Sequence, residues 1–307
     1  MSRLKIGLAL GSGAARGWAH IGIVDALLEA DIVPEIVCGT SIGALVGAAY
    51  VTGKLDALRE RVEAFGRRDV VTLVDVRFSG GGLIEGKRIG AFLRDLDISA
   101  PIESLQKRFV AVVTDLATGR EVWLEKGPID EAVRASISVP GIFSPVRRGG
   151  AWYLDGGLVN PVPVSVCRAL GADIIIAVNL NGDLVGRRFT DEDDPATSAK
   201  SASARREFVA RLIDGLPPSL KEQAGLLAKK LLQPEPAAPG YLDVLANALN
   251  IMQDRITRTR LAGEPPDVLL SPRFAGMRWA EFHRGAEAIA AGRTAVQDAL
   301  PVLRKYL

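Results

Sequence analysis

A chain of 307 residues, 48% hydrophobic and 24% charged, suits one large α/β domain or an ordinary domain with an appended subdomain, and excludes a disordered chain. Its formal net charge is +2 with no long basic run, which removes nucleic acid as an expected partner and leaves a weak attraction to anionic membrane surfaces. Two cysteines, Cys38 and Cys167, are too few for a disulfide framework, and with two histidines too few for a metal site, so a reduced, cytoplasmic protein without metal or cofactor is expected.

The N-terminal apolar run is too short for a signal-peptide core, and Leu4 to Leu10 reads as a buried strand. A glycine-rich turn, Gly11 to Gly17, leads into a helix over Trp18 to Ala30, with Ile21, Val24, Leu27 and Leu28 at helical spacing. Pro34 to Cys38 is a second strand, and Ile42 to Val51 a nearly all-apolar helix. Ile36 to Gly53 carries no charge, but its four glycines and central turn suit a buried strand, turn and helix better than a membrane span. This βαβα order predicts a mostly parallel sheet covered by helices.

Further along, Leu55 to Phe65 and Lys87 to Leu96 read as helices, with a loop breaker at Ser79 to Gly82. Phe109 to Thr114 and Glu121 to Leu124 read as strands joined by a turn at Ala117 to Arg120. Ile129 to Ala135 is a helix, Trp152 to Leu154 a short strand running into Asp155-Gly156-Gly157, Pro163 to Leu170 a helix and Asp173 to Leu180 an apolar strand. Residues 183–240 are charged and proline-punctuated, the pattern of a mobile insertion or cap. Regularity returns with a helix over Leu242 to Leu261, whose apolar face is expected to pack on the core, a strand over Val268 to Leu270 and a terminal helix over Arg278 to Leu303. The expected organisation is a catalytic domain over 5–182, the insertion over 183–240 and a C-terminal helical region over 241–307.

Three motifs carry chemistry. In Gly39-Thr40-Ser41-Ile42-Gly43 a strand turns sharply into a helix, presenting Ser41 at the tip. A serine hydroxyl attacks well only when so presented and relieved of its proton, and the following helix aims its first N–H groups at the reacting centre. In Gly11-Ser12-Gly13-Ala14-Ala15-Arg16-Gly17 the small residues leave backbone N–H groups open to an anion, either a phosphate or a developing oxyanion. A dinucleotide-binding turn would need its third glycine at position 16 and an acidic end to the second strand; Arg16 and the serine turn stand there instead. The third motif, Asp155-Gly156-Gly157, places a carboxylate at a strand end. A Ser-His-Asp triad in the usual chain order would need His283, which has no turn to present it, and His20 sits inside the first helix as a packed residue. The histidine count therefore favours a Ser41–Asp155 dyad, with Asp155 as base and then acid. Ser136 and Ser138 read as helix-end hydrogen bonders, and Gly80 to Ile84 as a plain loop.

In this order and spacing the three motifs resemble the patatin-like phospholipase family, and the chain is similar to its bacterial branch related to neuropathy target esterase. The resemblance covers roughly Lys5 to Leu180. It implies an α/β sheet in helical layers, Ser41 as nucleophile and Asp155 as proton acceptor. It also implies an oxyanion loop over Gly11, Ser12, Gly13, Ala14 and Arg16, a nucleophile elbow of Gly39, Thr40, Ile42 and Gly43, and a turn at Gly156 and Gly157 after the acid. Ser12 and Ala14 depart from the consecutive glycines of many members, and Asp-Gly-Gly is a variant beside Asp-Gly-Ala. Arg16 matches a basic position, which either fixes the loop or attracts a phosphate head group. The expected activity is hydrolysis of lipid esters, of phospholipase A or lysophospholipase type, by a cytoplasmic protein for which peripheral contact with the inner membrane face is an open option. A non-catalytic scaffold and a lipid transacylase are the alternatives. Oligomeric state and substrate identity are not legible.

Overall fold

The computed structural model describes residues 4–66, 84–182, 241–274 and 276–306. The expected loop at Ser79 to Gly82, most of the Gly80 to Ile84 segment and the insertion over 183–240 lie outside the described residues. The chain divides into two compact units, residues 1–183 with 252–307, and residues 184–251.

The first unit is built on one eight-stranded sheet. Its strands are β1 (Ile6–Leu10), β2 (Ile36–Thr40), β3 (Arg108–Asp115), β4 (Glu121–Leu124), β5 (Val146–Arg148), β6 (Ala151–Asp155), β7 (Ile174–Val178) and β8 (Val268–Leu270). Neighbours run β5-β6-β3-β2-β1-β7-β8, with β4 also paired to β3. Pairings among β3, β2, β1, β7 and β8 are parallel, while those of β4, β5 and β6 are antiparallel. The sheet is thus mostly parallel, as the βαβα order implies. Its central strands read as unbroken apolar runs because both faces are covered. Leu8, Leu10, Val37, Phe109, Val113 and Val178 belong to one core; their strand neighbours Ala9, Cys38, Val110, Val112 and Ala177 belong to the other.

The first core is closed by α1 (Ala19–Glu29), α2 (Ile42–Val51), α3 (Leu55–Glu63), α4 (Lys87–Asp95), α5 (Ile129–Ser136) and α8 (Gly285–Leu303). The second is closed by α6 (Val164–Ala169), whose Cys167 lies in the same cluster as Cys38 of β2. Both thiols are free and buried, and burial pushes the Cys38 thiol well above its usual range, so it stays protonated. The remaining helix, α7 (Tyr241–Gly263), runs from the second unit into the first. Within the first unit Arg260 pairs with Glu121 of β4 at 2.7 Å.

Two elements differ from what the sequence implies. The terminal α-helix starts at Gly285, not Arg278, because Phe282–Arg284 forms a 3-10 turn. That turn is pinned by Trp18, whose indole N–H donates to the Phe282 carbonyl and whose ring meets the Phe282 ring edge-on. The packed side of α7 within the first unit is also more polar than expected: Met252 is exposed, Asp254 and Thr257 are buried, and Leu261 packs against the second core.

Candidate active site

The register of β3 brings Ser41 and Asp155 together. Residues 111 and 112 pair with both β2 and β4, so those strands lie on opposite edges of β3. Val113 pairs with both β4 and β6, so β6 shares its edge with β2. The two strands run toward each other along that edge. β2 ends at Thr40 opposite Val112, and β6 ends at Asp155 opposite Val113. Thr40 and Asp155 therefore sit at consecutive rungs of β3, and Ser41, the residue after Thr40 and 114 positions before Asp155, faces it head-on.

Ser41 stands between β2 and α2 with φ 57° and ψ −123°. A positive φ on a serine is strained by about 1–3 kcal/mol and needs firm support. The support is close packing: a Cβ on Gly39 would lie 2.5 Å from the Ala44 backbone, and one on Gly43 would lie 2.1 Å from the Leu10 carbonyl oxygen. Hydrogen bonds add to it. The Ser41 carbonyl accepts from the Ala44 N–H at 2.9 Å, and its N–H donates to Ser136 Oγ at 2.9 Å. Ser136 in turn donates to the Val112 carbonyl at 2.7 Å. Two residues on, the Ser138 carbonyl accepts from the Asp155 N–H at 2.9 Å. The C-terminal end of α5 thus holds both members of the pair to β3. Ser136→Ala strands a buried N–H and a buried carbonyl, so a loss of about 1–3 kcal/mol is expected, read as a lower melting temperature.

Asp155 is 2% exposed. Its Oδ1 accepts the Gly157 N–H at 2.6 Å, while Oδ2 is buried with no hydrogen-bond partner of normal geometry. Burial raises the carboxyl from 3.8 to about 6, opposed by the Ser41 hydroxyl and the Gly157 N–H. The Ser41 hydroxyl is thus near enough to act on this charge without forming a standard hydrogen bond, a common condition of a catalytic pair without substrate.

The loop after β1 surrounds the same point. Its N–H groups divide into two sets. Gly11 donates to Val178, Ser12 to Pro161, Ala15 to Trp279 and Arg16 to Gly13. The N–H groups of Gly13 and Ala14 have no acceptor among the described residues. Ala14 has φ 49°, so this non-glycine position adopts the left-handed backbone. Arg16 is fully buried beneath the loop, its Nε donating to the Gly13 carbonyl at 3.3 Å and Nη2 to Asn181 Oδ1 at 3.0 Å. Of the two roles open to it, that placement suits holding the loop rather than meeting a head group. Ile42 and Gly43 begin α2, where first-turn N–H groups have no intrahelical acceptor. Thr40 ties the elbow to the segment after the acid, donating to the Asn160 carbonyl at 2.8 Å. Gly156 and Gly157 form the turn after Asp155.

Neither histidine reaches the pair as a base. His20 is fully buried, its Nε2 2.7 Å from the Gly11 carbonyl, and burial lowers it to about 4. The neutral ring must donate from Nε2, so Nδ1 is a buried acceptor without a partner. His283 lies in the 3-10 turn before α8. A cavity of about 390 Å³ lined by Leu4, Ile6, Ile32 and Leu300 opens at the start of β1, away from Ser41 at the C-terminal end of β2, and takes no part in this site. Among the described residues no cluster of three or more His, Cys, Asp or Glu side chains suits a metal ion, and no helix is long and apolar enough to cross a membrane.

One polar residue at this site is not legible in the sequence. Gln253 of α7 accepts from the Ser12 hydroxyl at 2.9 Å and from Asn181 Nδ2 at 3.2 Å, and its Nε2 lies against Gly157. The only available signal was a glutamine within a helix expected to be apolar on its packing face.

Residues 8–168 match the family model described as patatin-like phospholipase. An uncharacterized NTE family protein of Mycobacterium bovis is 33% identical, over 96% of this chain and 91% of its own length. The lysophospholipase NTE1 of Pyricularia oryzae is 32% identical over 67% of this chain and 14% of its own. The crystal structure of VipD from Legionella pneumophila aligns with a TM-score of 0.47 at 13% identity, over 99% of this chain and 67% of that one.

Proposed function

This chain belongs to the patatin-like phospholipase family, and on that premise we propose that it is a serine-dependent hydrolase of lipid carboxylic esters, of phospholipase A or lysophospholipase type, working through a Ser41–Asp155 dyad. The observation that carries the reading is the head-on meeting of β2 and β6 on one edge of β3, which sets a strained serine beside a buried carboxylate with an unpartnered oxygen.

Asp155 Oδ2 takes the Ser41 hydroxyl proton as Oγ attacks the ester carbonyl carbon. The carbonyl electron pair moves to oxygen, and the N–H groups of Gly13 and Ala14, with the first turn of α2, hold that oxyanion. Each such donor is worth about 3 kcal/mol in a dry site. As the intermediate collapses, the C–O bond to the alcohol breaks and Asp155 returns the proton to the leaving oxygen. Water then gives a proton to Asp155 and attacks the acyl-enzyme; as that intermediate collapses, the bond to Ser41 Oγ breaks, Asp155 returns the proton to Oγ, and the fatty acid leaves. A carboxyl near 6 suits both directions of transfer, because it is mostly ionised at pH 7 yet still accepts a proton readily.

The test is labelling by a fluorophosphonate probe, which forms a bond only to an activated serine. Wild-type protein is expected to label, Asp155→Ala to label far more slowly and Ser41→Ala not at all. Labelling undiminished in Ser41→Ala overturns the reading.

A further inference from the structure

Gln253 is held in one orientation by a chain of hydrogen bonds whose direction is set at its far end. Arg16 can only donate, so the atom it meets on Asn181 is the carbonyl Oδ1. Asn181 therefore presents Nδ2 to Gln253, and the Gln253 atom that receives it is Oε1. The Ser12 hydroxyl donates to that same Oε1. With its oxygen so engaged, the carboxamide must turn Nε2 the other way. Nε2 lies 2.4 Å from the position a Cβ on Gly157 would take, and Asp155 Oδ1 lies 2.9 Å from that same position. Nε2 makes no hydrogen bond among the described residues, although its side chain is half-buried.

We infer that Gln253 is a substrate-contacting residue whose N–H₂ group donates to an oxygen on the leaving alcohol, so that the enzyme selects esters of a polyol such as glycerol over esters of a simple alcohol. Asp155 returns its proton to the leaving oxygen, so the alcohol must sit on the Asp155 side of the site, where Nε2 is aimed. A glycerol ester carries further oxygens beside the scissile one; an ethyl ester carries none. The same contact accounts for Asp-Gly-Gly in place of Asp-Gly-Ala: an alanine at 157 would occupy the space of the carboxamide nitrogen.

This inference rests on the hydrolase reading, and its test separates the two. Hydrolysis of monooctanoylglycerol and ethyl octanoate is compared for wild type, Gln253→Met, Gln253→Glu and Gly157→Ala. Glutamate keeps an acceptor for Ser12 and Asn181 but lacks the donor, so it isolates the N–H₂ group from the anchoring of the loop. Wild type is expected to prefer the glyceryl ester in kcat/KM by at least about tenfold, and all three variants to lose most of that preference. The carboxylate of Gln253→Glu, set beside Asp155, is also expected to move the acid limb of the pH profile upward. A variant set that loses activity on both esters equally, with the preference intact, overturns the inference and leaves Gln253 as an anchor only. A wild type without preference overturns it as well. If Gln253→Met unfolds on heating below the assay temperature, Gln253→Glu and Gly157→Ala carry the comparison. A wild type that cleaves neither ester and fails to label at Ser41 overturns the hydrolase reading itself.

Discussion

Asp155→Asn is expected to abolish ester turnover, by about 10³-fold or more, while making the folded protein more stable at pH 8. The loss follows from chemistry, since an amide takes no proton from Ser41. The gain follows from burial. The Asp155 carboxyl is raised from 3.8 to about 6, so the folded state disfavours its ionised form. For a carboxyl raised in this way, its favourable contribution is fully present below about pH 4, declines as pH rises through 6 and is absent at pH 8. The shift corresponds to at most about 3 kcal/mol. Asparagine removes the charge and keeps the hydrogen bonds: its Oδ1 still accepts the Gly157 N–H, and its Nδ2 finds the Ser41 oxygen.

Melting temperatures of wild type and Asp155→Asn across pH 4 to 8 check this. The variant should melt higher at pH 8, and the two curves should converge near pH 4. His20 acts in the opposite sense over nearly the same range. Its folded value near 4 lies below the ordinary 6.5, so its contribution is present above 6.5 and is lost as pH falls toward 4. Because His20 is common to both proteins, it cancels from their difference. A variant less stable than wild type at pH 8 would show that the carboxylate is not held at a cost. In the active enzyme the same carboxyl sets the acid limb: kcat/KM should fall as pH drops through about 6, and recover on return.

Legibility in the sequence followed the distance over which each feature is determined. The elbow around Ser41 and the loop from Gly11 to Gly17 are local backbone devices, visible because sharp turns need small residues within a few positions. The strands β1, β2, β3 and β7 are buried on both faces, so they read as apolar runs. Strand β5 (Val146–Arg148) leaves no sequence signal, because a three-residue edge strand with two arginines has no apolar alternation to show. The bridge from Ser136 to Ser41 spans 95 positions and depends on the register of β3, which no local pattern encodes. The start of α8 depends on Trp18, some 260 residues away. In α7 the packed side mixes Asp254 and Thr257 with Leu261, so a rule that looks only for apolar residues finds part of it. Gln253 was hidden for the same reason.

The second large effect is expected at Gly43, where fold and chemistry share one contact. A Cβ there would stand 2.1 Å from the Leu10 carbonyl oxygen and 2.8 Å from that of Gly11. Both are backbone atoms at the root of the loop after β1. Leu10 is fixed by pairing with Gly39 on one side and Val178 on the other, and Gly11 by its bond to the Val178 carbonyl and by the His20 ring. Neither can retreat as a flexible side chain would. Gly43→Ala must therefore push the start of α2 away from the end of β1, which tilts Ser41 out of register with Asp155. Overpacking against flexible neighbours costs about 1–3 kcal/mol, and against fixed backbone the upper end or beyond is expected. For a chain of this size that is a fall of roughly 5 °C in melting temperature, with fluorophosphonate labelling lost before the protein unfolds. Gly263→Ala is the matching control, because a Cβ at the end of α7 meets nothing within 4 Å. Its melting temperature should stay within a degree or two of wild type, since an exposed helix end gains at most a fraction of the glycine-to-alanine difference. Equal stability of the two variants would mean that the elbow relaxes freely. The strained backbone of Ser41 would then not depend on the close approach of α2 to β1.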